Sequence, residues 1–179
     1  DAVKFQTFKA ENLNTRTAPK STYHVDTTGG DDDQTWFELL KTQEIDREMH
    51  IALIEAGATY ETVRIDFATG QQRSPDYLAV NPKGRVPALV TPRGVLTETP
   101  ALLVYIAQSF PATGLAPLDD PFAFAEVQAF NSYLCSTVHI AHAHRMRGYR
   151  WADDPAALEA MKRKVPQSVA EDFALIETN

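Results

Sequence analysis

Two neighbouring features between residues 81 and 108 have the chemistry to capture a small peptide. The first is Pro87, which opens a short apolar run at residues 88–90. Proline donates no hydrogen bond to a sheet ladder, so the amide and carbonyl of Val86 stay free for an extended ligand. The sequence therefore predicts backbone pairing with a peptide at Val86, next to a Val86–Pro87 bond that we expect to be cis.

The second feature is the triplet Glu98-Thr99-Pro100, which predicts the start of a helix. Thr99 is a good N-cap residue, and Pro100 suits the first helical position. Because the first turn of a helix exposes amides and the positive end of the dipole, it attracts a carboxylate. The α-carboxylate and the amine at the end of a peptide would suit Thr99 and Glu98.

The elements that must hold these residues form an α/β pattern. Residues 88–90 and 95–97 flank the turn cluster Thr-Pro-Arg-Gly and predict a hairpin. Residues 46–56 show helical spacing and end at Gly57, while Val63, Ile65 and Phe67 alternate as in a half-buried strand. A short helix is expected near residues 75–79, and residues 36–40 offer a first strand.

Beyond residue 110 the pattern is helical only. Residues 111–120 are rich in proline and glycine and predict a linker. A long helix follows, with Phe122, Glu126, Phe130, Leu134 and Val138 at spacings near four. Asp154 is expected to cap a second helix, which Pro166 should kink or end.

Composition excludes several classes of function. The 179 residues are 44% hydrophobic and carry a formal net charge of -7, which disfavours binding to nucleic acid or anionic lipid. The single cysteine, Cys135, cannot form an intramolecular disulfide. With no apolar run typical of a signal peptide or a membrane span, we expect a cytoplasmic protein. Residues 1–34 are polar and aperiodic, and we expect a poorly ordered arm without assigned function.

The run NPKGRVPALVTPRGVLTETPALLVYIAQ closely resembles the glutathione-binding half of the glutathione transferases. Their thioredoxin-like domain carries a Val-Pro-Ala-Leu strand and a Glu-Thr or Glu-Ser pair before the next helix. The resemblance extends from about His50 to the C-terminus. It implies a thioredoxin-like glutathione-binding domain at residues 35–110, the linker at residues 111–120, and an incomplete helical bundle domain at residues 121–179.

The resemblance also implies a function. Val86 beside Pro87 would pair with the cysteinyl part of glutathione, and Glu98 and Thr99 would hold the γ-glutamyl end. Glutathione would be the co-substrate, an electrophilic small molecule would be the second partner, and no metal would be needed. Family members usually pair as homodimers, for which Phe122, Phe124 and Tyr105 are candidate contacts.

The chain departs from the family where the first strand should deliver a Tyr, Ser or Cys to the glutathione sulfur. An ungapped match places Gln43, Ile45 or Asp46 there, and none of these stabilises a thiolate. Thr42 is the only well-placed hydroxyl and is one candidate catalytic residue, although a loop or cap role is the simpler interpretation. A fragment, a fusion and a degenerate copy of the family all fit this pattern.

The long helix carries Cys135, His139 and His142 at positions i, i+4 and i+7. A structural zinc site needs four ligands, and no fourth has convincing spacing, so packing or a cleft lining is the preferred interpretation. Some bacterial glutathione transferases place a histidine on this helix near the bound thiol, which makes His139 the second candidate catalytic residue. Tyr133, Arg145, Arg147 and Trp151 are candidates for shaping an electrophile pocket.

Two classes of function follow from these observations. The first is a transferase that conjugates the glutathione thiol to an electrophile. The alternative is a non-catalytic binding or scaffolding module with the same fold, which the missing first-strand residue favours. A thioredoxin-like redox protein would need a Cys-x-x-Cys pair, which the sequence lacks.

Overall fold

The structure is a computed structural model that describes the backbone of Gln6–Thr7, His24–Val25 and Trp36–Lys41, together with residues 47–178. The chain divides into two compact units, residues 1–119 and residues 120–179. The predicted arm at residues 1–34 lies largely outside the described residues. Within it, β1 (Gln6–Thr7) and β2 (His24–Val25) pair as an antiparallel ladder.

A four-stranded sheet organises the first unit. Its strands are β3 (Trp36–Lys41), β4 (Thr59–Arg64), β5 (Ala88–Thr91) and β6 (Gly94–Thr97), in the order β4-β3-β5-β6. The strand β3 is parallel to β4 and antiparallel to β5, while β5 and β6 form the expected hairpin. This mixed order with helices between the strands is the predicted thioredoxin-like arrangement.

The crossover from β3 to β4 runs through α1 (Arg47–Glu55). Gly57, at φ 65°, lets the helix stop, because its amide bonds Ile54 O at 2.9 Å and the amide of Ala58 bonds Leu53 O at 3.0 Å. The helix is also tied to β4 by a hydrogen bond of 2.8 Å between the Tyr60 hydroxyl and His50 Nδ1. The sequence predicted a strand through Phe67, but β4 ends at Arg64.

Two buried clusters flank the sheet. One joins α1 to α3 (Thr99–Ser109) through Met49, Leu53, Leu89, Leu102 and Ile106, all completely buried. The other contains Ile65, Tyr77, Ala88 and Val90, and includes α2 (Pro75–Val80). All four residues of β5 are buried, so this strand is the core of the unit and fixes the position of the residues that precede it.

The second unit is helical throughout its described residues. It contains α4 (Pro121–Tyr133), a π-helical turn (Leu134–Val138), α5 (His139–Arg147) and α6 (Pro155–Thr178). Asp154 caps α6 as predicted, since its Oδ1 accepts from the amide of Ala156 at 3.1 Å. Pro166 was predicted to kink or end this helix, and the second of these outcomes is wrong, because α6 continues for three further turns.

Candidate functional site

The hairpin brings the two predicted ligand-binding features to the same end of the sheet. Ala88 pairs with Thr97 across the ladder, so the residues just before Ala88 and just after Thr97 are neighbours. These residues are Val86, Pro87, Glu98 and Thr99, which we call the capture corner. The Val86–Pro87 peptide bond is cis, Pro87 is buried, and Val86 is half-buried against the second cluster.

The helix start differs by one residue from the prediction. Thr99 was expected to be the N-cap, but Glu98 takes that position because its carbonyl already accepts a helical hydrogen bond from Leu102 N at 3.1 Å. Thr99 is therefore the first residue of α3. The side chain of Glu98 makes no capping hydrogen bond, which leaves its carboxylate for another partner.

The backbone of Glu98 adopts a rare conformation. Its φ of 75° and ψ of 112° lie in a region that L-residues seldom occupy, and it is the only non-glycine residue with positive φ in the described chain. Such conformations persist where the surrounding structure imposes them, and they concentrate at functional sites. The hairpin on one side and α3 on the other constrain the backbone of Glu98. The fold therefore sets the direction in which its side chain leaves the backbone.

Lys83 is the partner of the Glu98 side chain. Its ammonium donates a hydrogen bond to Thr97 Oγ1 at 2.8 Å and forms an ion pair with Glu98 Oε1. The two charged side chains are 45% and 56% exposed, so solvent screens their interaction strongly. The sequence alone does not indicate a role for Lys83, because a contact between residues 15 apart in sequence depends on the register of the hairpin.

A buried network fixes the turn that presents Lys83. Asn81 is 1% exposed, and its Nδ2 donates to Arg85 O at 2.6 Å while its Oδ1 accepts from Lys83 N at 3.1 Å. The Tyr77 hydroxyl donates to the same Arg85 carbonyl at 2.6 Å. The Asn-Pro-x-Gly spacing could have indicated this turn, since asparagine side chains bond the backbone two residues on.

Gly84 completes the turn in a crowded position. Its φ is +61°, and a Cβ at this residue would stand 3.0 Å from Gln72 O and 3.1 Å from Arg73 Nη1. A side chain would therefore meet both an unfavourable backbone conformation and a backbone oxygen that cannot easily move. Only glycine fits without displacement, so residues 81–84 pack closely against the short 3-10 helix (Gln71–Arg73) that precedes α2.

One of the two candidate catalytic residues falls within the described structure. Thr42, like Gln43, Ile45 and Asp46, lies outside the described residues. His139 begins α5 directly after the π-helical turn and is exposed. That turn interrupts the regular helical spacing assumed for Cys135, His139 and His142, although such wide turns often accompany functional residues. Among residues 47–178, no group of three or more potential ligands could hold a metal ion.

The candidates for an electrophile pocket serve separate roles within the second unit. The Tyr133 hydroxyl donates to Asp172 O at 3.2 Å and so joins α4 to α6. Desolvation, and then the neighbouring Asp172 carboxylate, raise the pKa of Tyr133 above its ordinary value. The ring of Trp151 contacts that of His144, with centroids 4.5 Å apart and ring planes tilted by 58°. Arg145 lines an open groove with Lys162 and Arg163.

Comparison with known proteins agrees with this architecture. Residues 43–108 match the sequence model of the glutathione S-transferase N-terminal domain. A crystal structure of a glutathione transferase homologue from Sulfitobacter, with bound glutathione, is 46% identical, with a TM-score of 0.76, and the match covers 81% of this chain and 70% of that one. The chain belongs to the glutathione transferase family.

Two further family members support the same assignment. The structure of a sphingomonad glutathione S-transferase complexed with glutathione is 34% identical, with a TM-score of 0.66, over 79% of this chain and 68% of the other. The glutathione S-transferase GST-4.5 of Xanthomonas campestris is 37% identical over 90 residues. That alignment spans 50% of this chain and 43% of the relative, so the chain matches less than half the length of this curated protein.

A second sequence model overlaps the first. Residues 1–75 match the NeuB family, which covers less than half of the chain and shares residues 43–75 with the glutathione transferase match. The strand β3 lies inside the NeuB match and before the start of the glutathione transferase match. The family pattern therefore begins after the first strand, while the fold includes that strand.

No helix among the described residues has the length and apolar character needed to cross a membrane.

Proposed function

We propose that this chain binds glutathione at the capture corner. The Val86 backbone pairs with the cysteinyl part, the Glu98 carboxylate takes the γ-glutamyl ammonium, and the first turn of α3 at Thr99 takes the α-carboxylate. The single observation that carries the proposal is the pairing of Ala88 with Thr97, which sets these groups side by side. The bound glutathione of the Sulfitobacter relative supports the same ligand class.

The reaction that this site serves is conjugation. The glutathione thiol loses its proton to solvent or a base, the thiolate sulfur forms a bond to an electrophilic carbon, and the leaving group departs with its electron pair. Thr42 and His139 are the residues that we propose to favour the thiolate. An unperturbed thiol has a pKa of about 8.5, so only a few per cent is ionised at neutral pH without such help.

A non-catalytic glutathione-binding module is the second candidate, and a specific observation favours it. The glutathione transferase match starts at residue 43, and β3 falls in the part of the chain that matches the NeuB family instead. The family places its thiol-activating residue next to this strand. If a different sequence has replaced the family's first strand, the capture corner is kept but the residue that activates the glutathione thiol is lost.

The same architecture suggests a pairing of two copies. We propose a homodimer in which Phe122, 75% exposed at the start of α4, contributes an apolar contact. Tyr105 instead packs against the first buried cluster, so its ring serves its own unit. Sedimentation at micromolar concentration should give twice the 19.9 kDa mass of the chain. A monomer at that concentration would refute the homodimer.

Retention on immobilised glutathione, followed by calorimetry, tests the proposed function. Specific elution by free glutathione and a micromolar to millimolar dissociation constant are the expected results. Conjugation of a simple aryl halide by the same preparation separates the transferase from the binding module. A protein that does not bind glutathione at all would refute both candidates.

A further inference from the structure

We propose that Lys83 is a positioning residue that holds the Glu98 carboxylate in place for the α-ammonium group of a γ-glutamyl ligand. This inference rests on the proposed glutathione site and adds a residue outside the Val-Pro-Ala-Leu strand and the Glu-Thr pair. It starts from the ion pair between Lys83 Nζ and Glu98 Oε1 and from the second bond of the same ammonium to Thr97 Oγ1 at 2.8 Å.

The geometry leaves half of the carboxylate for a ligand. Lys83 contacts Oε1, and within the described structure no hydrogen bond is made by the other oxygen, Oε2. A carboxylate offers about four lone-pair positions, so a second ammonium can bind Oε2 while Lys83 keeps Oε1. The lysine and the ligand thus share Glu98, and the lysine restricts its rotation before the ligand arrives.

The support behind Lys83 makes it suitable for this role. Its backbone amide is fixed by Asn81 Oδ1 at 3.1 Å, and Asn81 is itself buried and bonded to Arg85 O. Gly84 closes the turn against the backbone of Gln72. The ammonium therefore extends from a rigid turn to the junction between β6 and α3. Prearranged groups bind more tightly because less conformational freedom is lost on binding.

Stability alone does not explain the contact. A Lys–Glu pair with both side chains about half exposed contributes little to folding. Lys162 and Glu159 on α6, in the second unit, form a comparable exposed pair, with Nζ 2.7 Å from Oε1. The two pairs differ in what surrounds them: Glu98 has a constrained backbone and stands before a helix start, whereas Glu159 lies within a regular helix.

The test is calorimetry of glutathione binding to the full chain and to Lys83→Met, which keeps the aliphatic stem and the backbone bond to Asn81. We expect the dissociation constant to rise about three- to fivefold, the range of an exposed charge pair. Lys83→Arg should restore most of the affinity. The control Lys162→Met should leave both the affinity and the melting temperature unchanged.

Two further arms separate positioning from a general structural effect. N-acetylated glutathione lacks the α-ammonium, so its affinity should be equal for the parent and Lys83→Met. In a Glu98→Ala background, Lys83→Met should likewise have no further effect on glutathione binding. Unchanged or tighter binding of glutathione by Lys83→Met would overturn the inference, as would an equal loss for the N-acetylated ligand. A parent protein that does not bind glutathione would instead refute the proposed function and, with it, this inference.

Discussion

The turn and corner at residues 81–99 differ from the first-strand region at residues 36–46 in what they retain of the family pattern. The first region carries the Val-Pro strand, the Glu-Thr pair and the turn at residues 81–84. Lys83 of this turn forms an ion pair with Glu98. The second supplies a strand in the correct register between β4 and β5, yet it precedes the glutathione transferase match. A strand can thus satisfy the fold while lying outside the part of the chain that matches the family model.

The physical reason lies in what each region needs. A central strand requires backbone hydrogen bonds and apolar side chains, and many sequences satisfy both requirements. A capture site requires particular groups at particular backbone positions, as in the conformation of Glu98 or the close packing of Gly84. We therefore expect ligand binding to survive in this chain better than turnover.

The largest effect is expected from Glu98→Ala. Removing a charge-assisted contact should weaken glutathione binding by about 1.5 to 3 kcal/mol, roughly ten- to a hundredfold in the dissociation constant. Calorimetry measures the change directly. Glu159→Ala is the matched control, because it also removes a carboxylate paired with a lysine. Equal affinities for Glu98→Ala and the parent would place the ligand elsewhere.

The second prediction concerns the first-strand region. Serine introduced singly at Gln43, Ile45 or Asp46 should, at one of these positions, raise the rate of aryl halide conjugation by up to about thirtyfold, the gain from ionising a thiol of pKa near 8.5 completely at pH 7. Glutathione affinity should change little. Alanine at the same position is the control, since it lacks the hydroxyl. A rate increase with alanine would show that the hydroxyl is not responsible.

Much of the fold could be predicted from sequence, because local signals determined it. Gly57 marked the end of α1, Asp154 marked the start of α6, and the Thr-Pro-Arg-Gly cluster marked the hairpin. The exact N-cap of α3 could not be predicted, because Thr99 is the better capping residue by type. The hairpin places Glu98 at the N-cap instead, a tertiary constraint that residue preferences do not encode.

The candidate site was predictable in part for the same reason. Val86, Glu98 and Thr99 lie in a recognisable short motif, whereas Lys83 gains its role only through the packing of the turn against β6. Pro166 does not end α6, because the lost hydrogen bond and the ring clash of a proline are confined to one turn. The packing that stabilises a long helix is spread over its whole length. Contacts between distant residues were therefore the part of the site that sequence patterns missed.

Rigidity of the turn gives the third prediction. Gly84→Ala should lower the free energy of unfolding by about 1 to 3 kcal/mol, since the new methyl group meets both positive φ and the Gln72 carbonyl. Glutathione affinity should fall as well, because Lys83 moves with the turn. Gly57→Ala provides the control: its φ is also positive, but nothing lies within 4 Å. Chemical denaturation should therefore show the smaller loss for Gly57→Ala, and an equal loss would exclude the steric contribution.

The smallest effect is expected at β4, which forms the edge of the sheet opposite to β6. Burial raises the pKa of Tyr60 above 10.0, so the fold favours the neutral phenol. The stabilisation from this residue is complete below pH 10 and is lost as the pH rises through the folded pKa. Tyr60→Phe should therefore flatten the alkaline decline in melting temperature without changing glutathione affinity. An unchanged alkaline slope would argue against ionisation of this phenol.

The most direct test of the difference between the two regions is the ionisation of bound glutathione. Thiolate absorbance of the saturated complex, titrated against pH, reports the thiol pKa, and aryl halide conjugation is assayed in the same preparation. Our account predicts clear binding, a thiol pKa within about one unit of 8.5, and slow turnover. A pKa lowered by about two units or more with rapid turnover would contradict it, since this corresponds to nearly 3 kcal/mol of thiolate stabilisation. Loss of that activity in Thr42→Ala or His139→Ala would then identify the activating residue.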